Sequence, residues 1–155
     1  MNWIEAEGPS ADIVLSTRIR LARNLENYPF PSRHIARSLS DVVSLVASRV
    51  EVATDLVCHD VHRFHPLELH LLVERHLVSP AFVNSPLPRA VAINQAGTQS
   101  LMVNEEDHLR IQSLLSGMQF GAAWEMTRYL TGRLAEGLEF ARDPQFGFLT
   151  ACPSN

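Results

Sequence analysis

A chain of 155 residues, 46% hydrophobic and 19% charged, has the length and apolar content for one folded core, which excludes a disordered chain. Its formal net charge of −4 argues against a general nucleic-acid binder, which carries a basic excess. The 13 residues counted as Lys or Arg are all Arg, which excludes a P-loop, a kinase strand lysine and Schiff-base chemistry, and leaves arginine forks and backbone amides to hold any phosphate.

In chain order, residues 12–15 (DIVL) read as a short buried strand. Residues 16–23 (STRIRLAR) follow as a strand in which Ile19 and Leu21 alternate with Arg18 and Arg20. The prolines of 28–32 (YPFPS) break the chain. Residues 40–52 predict a helix capped by Ser40, with Val42, Val43, Leu45, Val46 and Val50 as its apolar stripe. Residues 55–64 read as a strand, and 66–77 as a Leu-rich helix with Pro66 near its first position. The proline-rich stretch 79–89 is expected to be a loop. Strands are expected at 90–94, 99–103 and 109–114, the last two joined through NEEDH. Residues 117–139 predict the longest helix, with Phe120, Ala123, Trp124, Thr127, Leu130, Leu134 and Leu138 at helical spacing. The Leu-rich and Trp-containing helices are expected to lie in the core. A last short strand is expected at 146–151. No repeat or linker divides the chain, so residues 1–155 are read as one α+β domain, a mostly antiparallel sheet flanked by helices.

No apolar run approaches the length of a membrane span, and the acidic start MNWIEAEGPS lacks the apolar centre of a signal peptide. Two cysteines far apart in sequence, Cys58 and Cys152, fit a reduced, cytoplasmic chain.

Three constellations carry possible chemistry. Glu105, Glu106 and Asp107 stand side by side in NEEDH. They form either a polar hairpin connection or a working group, in which one carboxylate orients and deprotonates a nucleophile while others pair with Arg or hold Mg²⁺ through water. Arg18 and Arg20 share one face of a strand, with Arg23 just beyond. This is either a solvated face or a polyphosphate clamp that Arg110 joins. Cys152 is either inert packing or a thiol facing a pocket at a strand end. The order Cys58, His59, His62, His65 matches no standard zinc spacing, so no metal site is expected there.

Taken together, DIVLSTRIRLAR, VERHLVSP, MVNEEDHLRIQ and GFLTACPSN resemble, in this order, the catalytic domain of the guanidino (phosphagen) kinases, and within that family the bacterial protein-arginine kinase branch. The resemblance implies an antiparallel sheet flanked by helices, similar to the glutamine synthetase catalytic domain. It implies that Ser16, Thr17, Arg18, Ile19 and Arg20 form a first nucleotide-binding stretch, with Arg18 and Arg20 on the phosphates of ATP. The family usually has Ser where Thr17 stands. His76 resembles a nucleotide-contacting histidine and Arg110 a further phosphate-binding arginine. Glu106 matches the catalytic glutamate and Cys152 the active-site thiol. ATP and Mg²⁺ are the implied cofactors. The implied partners are proteins with exposed arginines, bound for a Clp-type protease. No nucleic acid or membrane partner is expected.

In the family, CPSN continues into a Gly-rich stretch and further sheet with more phosphate-binding arginines. Residues 1–155 are therefore expected to be the N-terminal portion of the catalytic domain. Three readings follow: a protein-arginine kinase or part of one, completed by a second chain or a homo-oligomer; a non-catalytic remnant that binds nucleotide or a partner; and a small-guanidine kinase, which is disfavoured because the helical domain that precedes this one in creatine and arginine kinases is not in the sequence.

Overall fold

The structure is a computed structural model that describes residues 3–4, 6–33 and 36–152. Five strands form one antiparallel sheet in the order β1-β5-β4-β3-β2. These are β1 Ser16–Arg23, β2 Val57–Asp60, β3 Ala90–Ile93, β4 Gln99–Val103 and β5 Leu109–Ser116. Strands β4 and β5 are joined by the NEEDH loop, in register Val103 with Leu109 and Met102 with Arg110. Strand β1 lies along the outer side of β5, with Ala22 opposite Arg110 and Arg20 opposite Gln112. The helices are α1 Ala36–Ala53, α2 Pro66–Glu74, the one-turn α3 Pro80–Val83 and α4 Phe120–Ala135. A two-stranded hairpin, β6 Arg142–Asp143 and β7 Gly147–Phe148, precedes the C-terminal segment.

Side chains alternate along a strand, so each sheet face has its own cover. Val42, Val46 and Val50 recur every fourth residue on α1, and Leu130 and Leu134 stand on α4. They bury Ala90, Ala92, Leu101, Val103, Leu109 and Ile111 of the sheet. On the other face Val91 and Met102 pack with Val61, Val78 and Phe82, covered in part by Leu69, Leu72 and Val73 of α2. This second cover stops at Met102. Its cross-strand neighbour is Arg110, and beyond it the face carries Arg20 and Arg18.

Several elements differ from the sequence expectation. Residues 12–13 lie in a turn and 14–15 have no regular structure, so the expected strand is not formed. Ser10, at φ 56°, takes the amides of Ile13 and Val14 on its carbonyl, and Ile13 and Leu15 are left 82% and 84% exposed. Helix α1 begins at Ala36, so Ser40 lies inside it and receives the Ser44 hydroxyl on its carbonyl instead of capping. The stretch 55–64 is a strand only over β2, after which Val61–Arg63 form a 3-10 turn capped by Asp60. Helix α2 stops at Glu74 because His76 adopts a left-handed φ of 56°. The His76 amide then bonds the Val73 carbonyl and the Leu77 amide the Leu72 carbonyl, which closes the end of the helix. The stretch 79–89 is not wholly loop, because Ser79 caps α3 through its side chain. Helix α4 is shorter than expected, and Phe120 and Trp124 are 61% and 46% exposed. The buried line runs through Ala123, Thr127, Leu130 and Leu134 instead. None of the residues of α2 is fully buried. The last strand shrinks to β7, paired with β6.

Candidate active site

The site grows from the hairpin of β4 and β5. Asn104 starts the connection in the left-handed region at φ 61°, where Asn is tolerated, and its amide donates to the His108 carbonyl at 2.9 Å. The Asn104 carboxamide also donates to the carbonyls of Leu39 and Pro88, which ties the loop to α1 and to the segment before β3. Within this frame the three adjacent carboxylates go three ways.

Glu105 turns to the arginine face. Its carboxylate takes Arg110 Nη1 at 2.7 Å and the Ser79 hydroxyl at 2.8 Å. Burial pushes this carboxyl up, but the hydrogen bonds from Arg110 and Ser79, with the Arg110 charge, outweigh it and hold the group below its ordinary value. Asp107 turns inward and is buried, with Oδ1 accepting from Asn24 Nδ2 and from the Ala151 amide, both at 2.6 Å. Glu106 alone faces solvent, and among the described residues its carboxylate makes no hydrogen bond or ion pair. His108 braces the loop from behind. Its Nδ1 accepts the Leu25 amide at 3.0 Å, so its other ring nitrogen, 3.1 Å from the Pro29 carbonyl, carries the proton. Burial keeps this imidazole below its ordinary pKa, which fits the neutral ring.

The arginines meet on the uncovered face. Arg18 and Arg20 are exposed on β1, and Arg110 stands beside them on β5. Burial lowers the pKa of Arg20, and the Arg110 and Arg18 charges lower it further, while Glu105 raises it. Among the described residues, like charges are thus crowded with one carboxylate beside them, a surplus of positive charge that a polyanion would relieve. His76 lies over the same face. Its carbonyl accepts Gln112 Nε2 at 2.7 Å, and its ring stands 5.8 Å from that of Trp3. Ser16 shares the arginine face by register. Thr17 and Ile19 alternate to the other face, where the Thr17 hydroxyl donates to the Gly117 carbonyl at 2.6 Å and accepts the Gln119 amide at 2.9 Å. The Thr17 side chain thus anchors the start of α4 and does not join the arginines.

A cavity of about 450 Å³ opens beside the arginines, lined by Arg20, Leu21, Ala22, Arg23, Arg110, Phe146, Phe148 and Thr150. The Arg23 guanidinium lies 3.8 Å from the centre of the Phe148 ring, and burial lowers its pKa. Cys152 is half-buried and not in a disulfide. It follows Ala151, whose amide bonds Asp107, so the thiol segment is tied to the residue beside Glu106. Pro153, Ser154 and Asn155 of the CPSN motif lie outside the described residues.

Sequence reasoning did not single out Asn24 or Phe148, and it expected a NEEDH carboxylate to pair with Arg without naming Glu105 and Arg110 as the two. The pairing had a signal, because two residues that flank one tight hairpin connection come close in space. Asn24 had none beyond its place at the end of STRIRLAR. Of the Cys58 to His65 stretch, His62 contacts the Leu87 carbonyl at 3.0 Å and His65 caps α2, while burial raises the Cys58 pKa. Among the described residues no group of three His, Cys, Asp or Glu could hold a metal ion.

Comparison with known proteins agrees with this geometry. The family described as ATP:guanido phosphotransferase, C-terminal catalytic domain, matches residues 38–155. A protein-arginine kinase of Symbiobacterium thermophilum is 44% identical over 165 residues, covering 99% of this chain and 45% of that protein. One of Halothermothrix orenii is 40% identical over 156 residues, with the same coverage of 99% and 45%. The chain thus spans less than half the length of these relatives. In fold it is similar to a duplicated taurocyamine kinase from Schistosoma mansoni with bound transition-state analogue components, at TM-score 0.88 and 22% identity over 96% of this chain and 22% of that one. It is also similar to a lombricine kinase, at TM-score 0.81 and 22% identity over 99% of this chain and 50% of that one.

Proposed function

We propose that this chain, which belongs to the ATP:guanido phosphotransferase family, transfers the γ-phosphoryl group of ATP to the guanidinium of an arginine in a protein. The observation that carries the reading is the division of labour in NEEDH. Glu105 and Asp107 are engaged by neighbours, and Glu106 presents a carboxylate unpaired among the described residues, next to an arginine face whose like charges are only partly offset by Glu105. The relatives described as protein-arginine kinases support a protein acceptor.

A guanidinium keeps its proton far above neutral pH, and its delocalised charge makes each nitrogen a weak nucleophile. The Glu106 carboxylate can accept two N–H bonds from the fork, which fixes the plane of the acceptor. As the nitrogen attacks the γ-phosphorus, an N–P bond forms, the P–O bond to ADP breaks, and the nitrogen's proton passes to Glu106. The electron pair leaves on the ADP oxygen, where Arg18, Arg20 and Arg110 neutralise the charge. Mg²⁺ carried on the nucleotide's phosphates would supply further charge neutralisation there. Cys152 is the thiol we assign to the acceptor side. Two cysteines without a disulfide fit a reducing, cytoplasmic setting.

The test mixes the chain with Mg²⁺, γ-labelled ATP and an unfolded arginine-containing protein, and reads acid-labile label on arginine. Glu106→Gln should lose transfer by about 100-fold or more while ATP binding stays. Equal labelling by both proteins would reject Glu106 as the base. ATP binding without transfer by the unaltered chain would favour a nucleotide-binding role.

A further inference from the structure

The candidate site is assembled from three segments far apart in sequence: the end of β1, the NEEDH loop, and the segment that carries Cys152. One side chain touches all three. Asn24, fully buried just after β1, donates from Nδ2 to Asp107 Oδ1 at 2.6 Å and to the Leu149 carbonyl at 3.2 Å, and accepts the His108 amide on Oδ1 at 2.9 Å. We infer that Asn24 is a positioning residue for the transfer proposed above, holding the acceptor-side Glu106 and Cys152 in register with the arginine strand. The inference rests on that reading of the site.

The chemistry of the junction singles out a carboxamide. It must give hydrogens to a carboxylate and to a carbonyl, and take one from an amide, within one planar group. Aspartate would set a second carboxylate against Asp107. Alanine would leave the buried His108 amide unpaired and take one donor from Asp107, at a site where water does not replace them. The Asp107 oxygen held by Asn24 also accepts the Ala151 amide, so the carboxamide acts on the residue after Glu106 and, through Ala151, on the residue before Cys152. The chain path itself is held separately. The Ala141 amide bonds the Asn24 carbonyl at 2.8 Å and the Glu26 amide bonds the Glu139 carbonyl at 3.0 Å, and neither needs the side chain. Losing the carboxamide should therefore loosen the acceptor side and spare the fold and the arginine face.

The experiment compares Asn24→Ala and Asn24→Asp with the unaltered chain in three readouts: turnover, ATP affinity by calorimetry, and the alkylation rate of Cys152 by iodoacetamide, followed on its own peptide so that Cys58 does not contribute. Turnover should fall on the order of 100-fold, as a displaced reacting group does. ATP affinity should stay within about twofold, and Cys152 should react faster. Unchanged turnover and thiol reactivity would overturn the inference, as would an equal loss of ATP affinity and turnover. If the unaltered chain transfers no phosphate, the proposed activity fails by itself, and the thiol rate with ATP affinity still decides the role of Asn24. If the variants do not fold, hydrogen exchange on the unaltered chain decides. The His108 and Ala151 amides should be protected alike, and free exchange at Ala151 with protection at His108 would overturn the inference.

Discussion

The two faces of the five-stranded sheet are built from the same strands and serve opposite ends. On one, α1 and α4 close over Leu101, Val103, Leu109 and Ile111, all without exposed surface. On the other, the apolar cover ends at Met102, and the surface toward β1 carries Arg18, Arg20 and Arg110. The closed face gains from burial, whereas the open face accumulates repulsion that, among the described residues, Glu105 relieves in part and a bound anion would relieve further. Stability and the proposed binding therefore fall to alternate residues of one strand: on β1, Thr17 anchors the start of α4 and Arg18 lies on the face of the candidate site.

The largest effect should come from the closed face. Leu101→Ala removes a fully buried side chain from the main cluster and should destabilise the fold by about 2–5 kcal/mol. Urea unfolding measures this. A loss below about 1 kcal/mol would mean that the cluster repacks and that the faces differ less than their burial implies.

Next in size is a crossed pair on β1. Arg20→Ala should weaken ATP binding by about tenfold or more while leaving thermal stability equal or slightly raised, because it relieves the repulsion from Arg18 and Arg110. Thr17→Val should do the reverse. It strips the hydroxyl that joins the Gly117 carbonyl to the Gln119 amide, at a cost of about 1–3 kcal/mol, with ATP affinity kept. Calorimetric titration and thermal melting on both variants complete the cross. A Thr17→Val chain that loses ATP affinity but not stability would return that side chain to the nucleotide stretch.

This alternation was legible in STRIRLAR because a period of two is local, and the NEEDH hairpin was legible because its flanking strands are short and close in sequence. What was not legible depends on distance or on backbone sign. The bond from Asn24 to Asp107 spans 83 positions and that to the Leu149 carbonyl 125, so no window of sequence contains them. Helix α2 was read too long because its left-handed stop is His76 and not a glycine, which would have announced it. The DIVL run was read as buried because its residues are apolar, yet Ile13 and Leu15 face outward. Composition alone does not say whether a partner lies beside a segment. The tasks of Glu106, Arg110 and Cys152 are implied by the family motifs through resemblance, and the structure adds how Glu105 and Asp107 leave Glu106 exposed between them.

The smallest effect belongs to the bridge between the two regimes. Glu105 is a carboxylate on the arginine face, and its pair with Arg110 is mostly shielded from water, with side chains 11% and 20% exposed. Burial raises its pKa, and the bonds from Arg110 and Ser79 more than reverse that, so the folded value lies below the ordinary 4.5. A carboxyl lowered on folding binds fewer protons in the folded chain than in the unfolded one. Its contribution is therefore whole above about pH 4.5 and is lost as pH falls through the folded value. Melting temperature followed from neutral pH into this acid window should fall more steeply for the unaltered chain than for Glu105→Gln, and the two curves should converge at the acid end. Parallel curves would mean that Glu105 adds no pH-dependent stability, and the open face would then be held by the apolar cover at Met102 alone, with no help from its own charges.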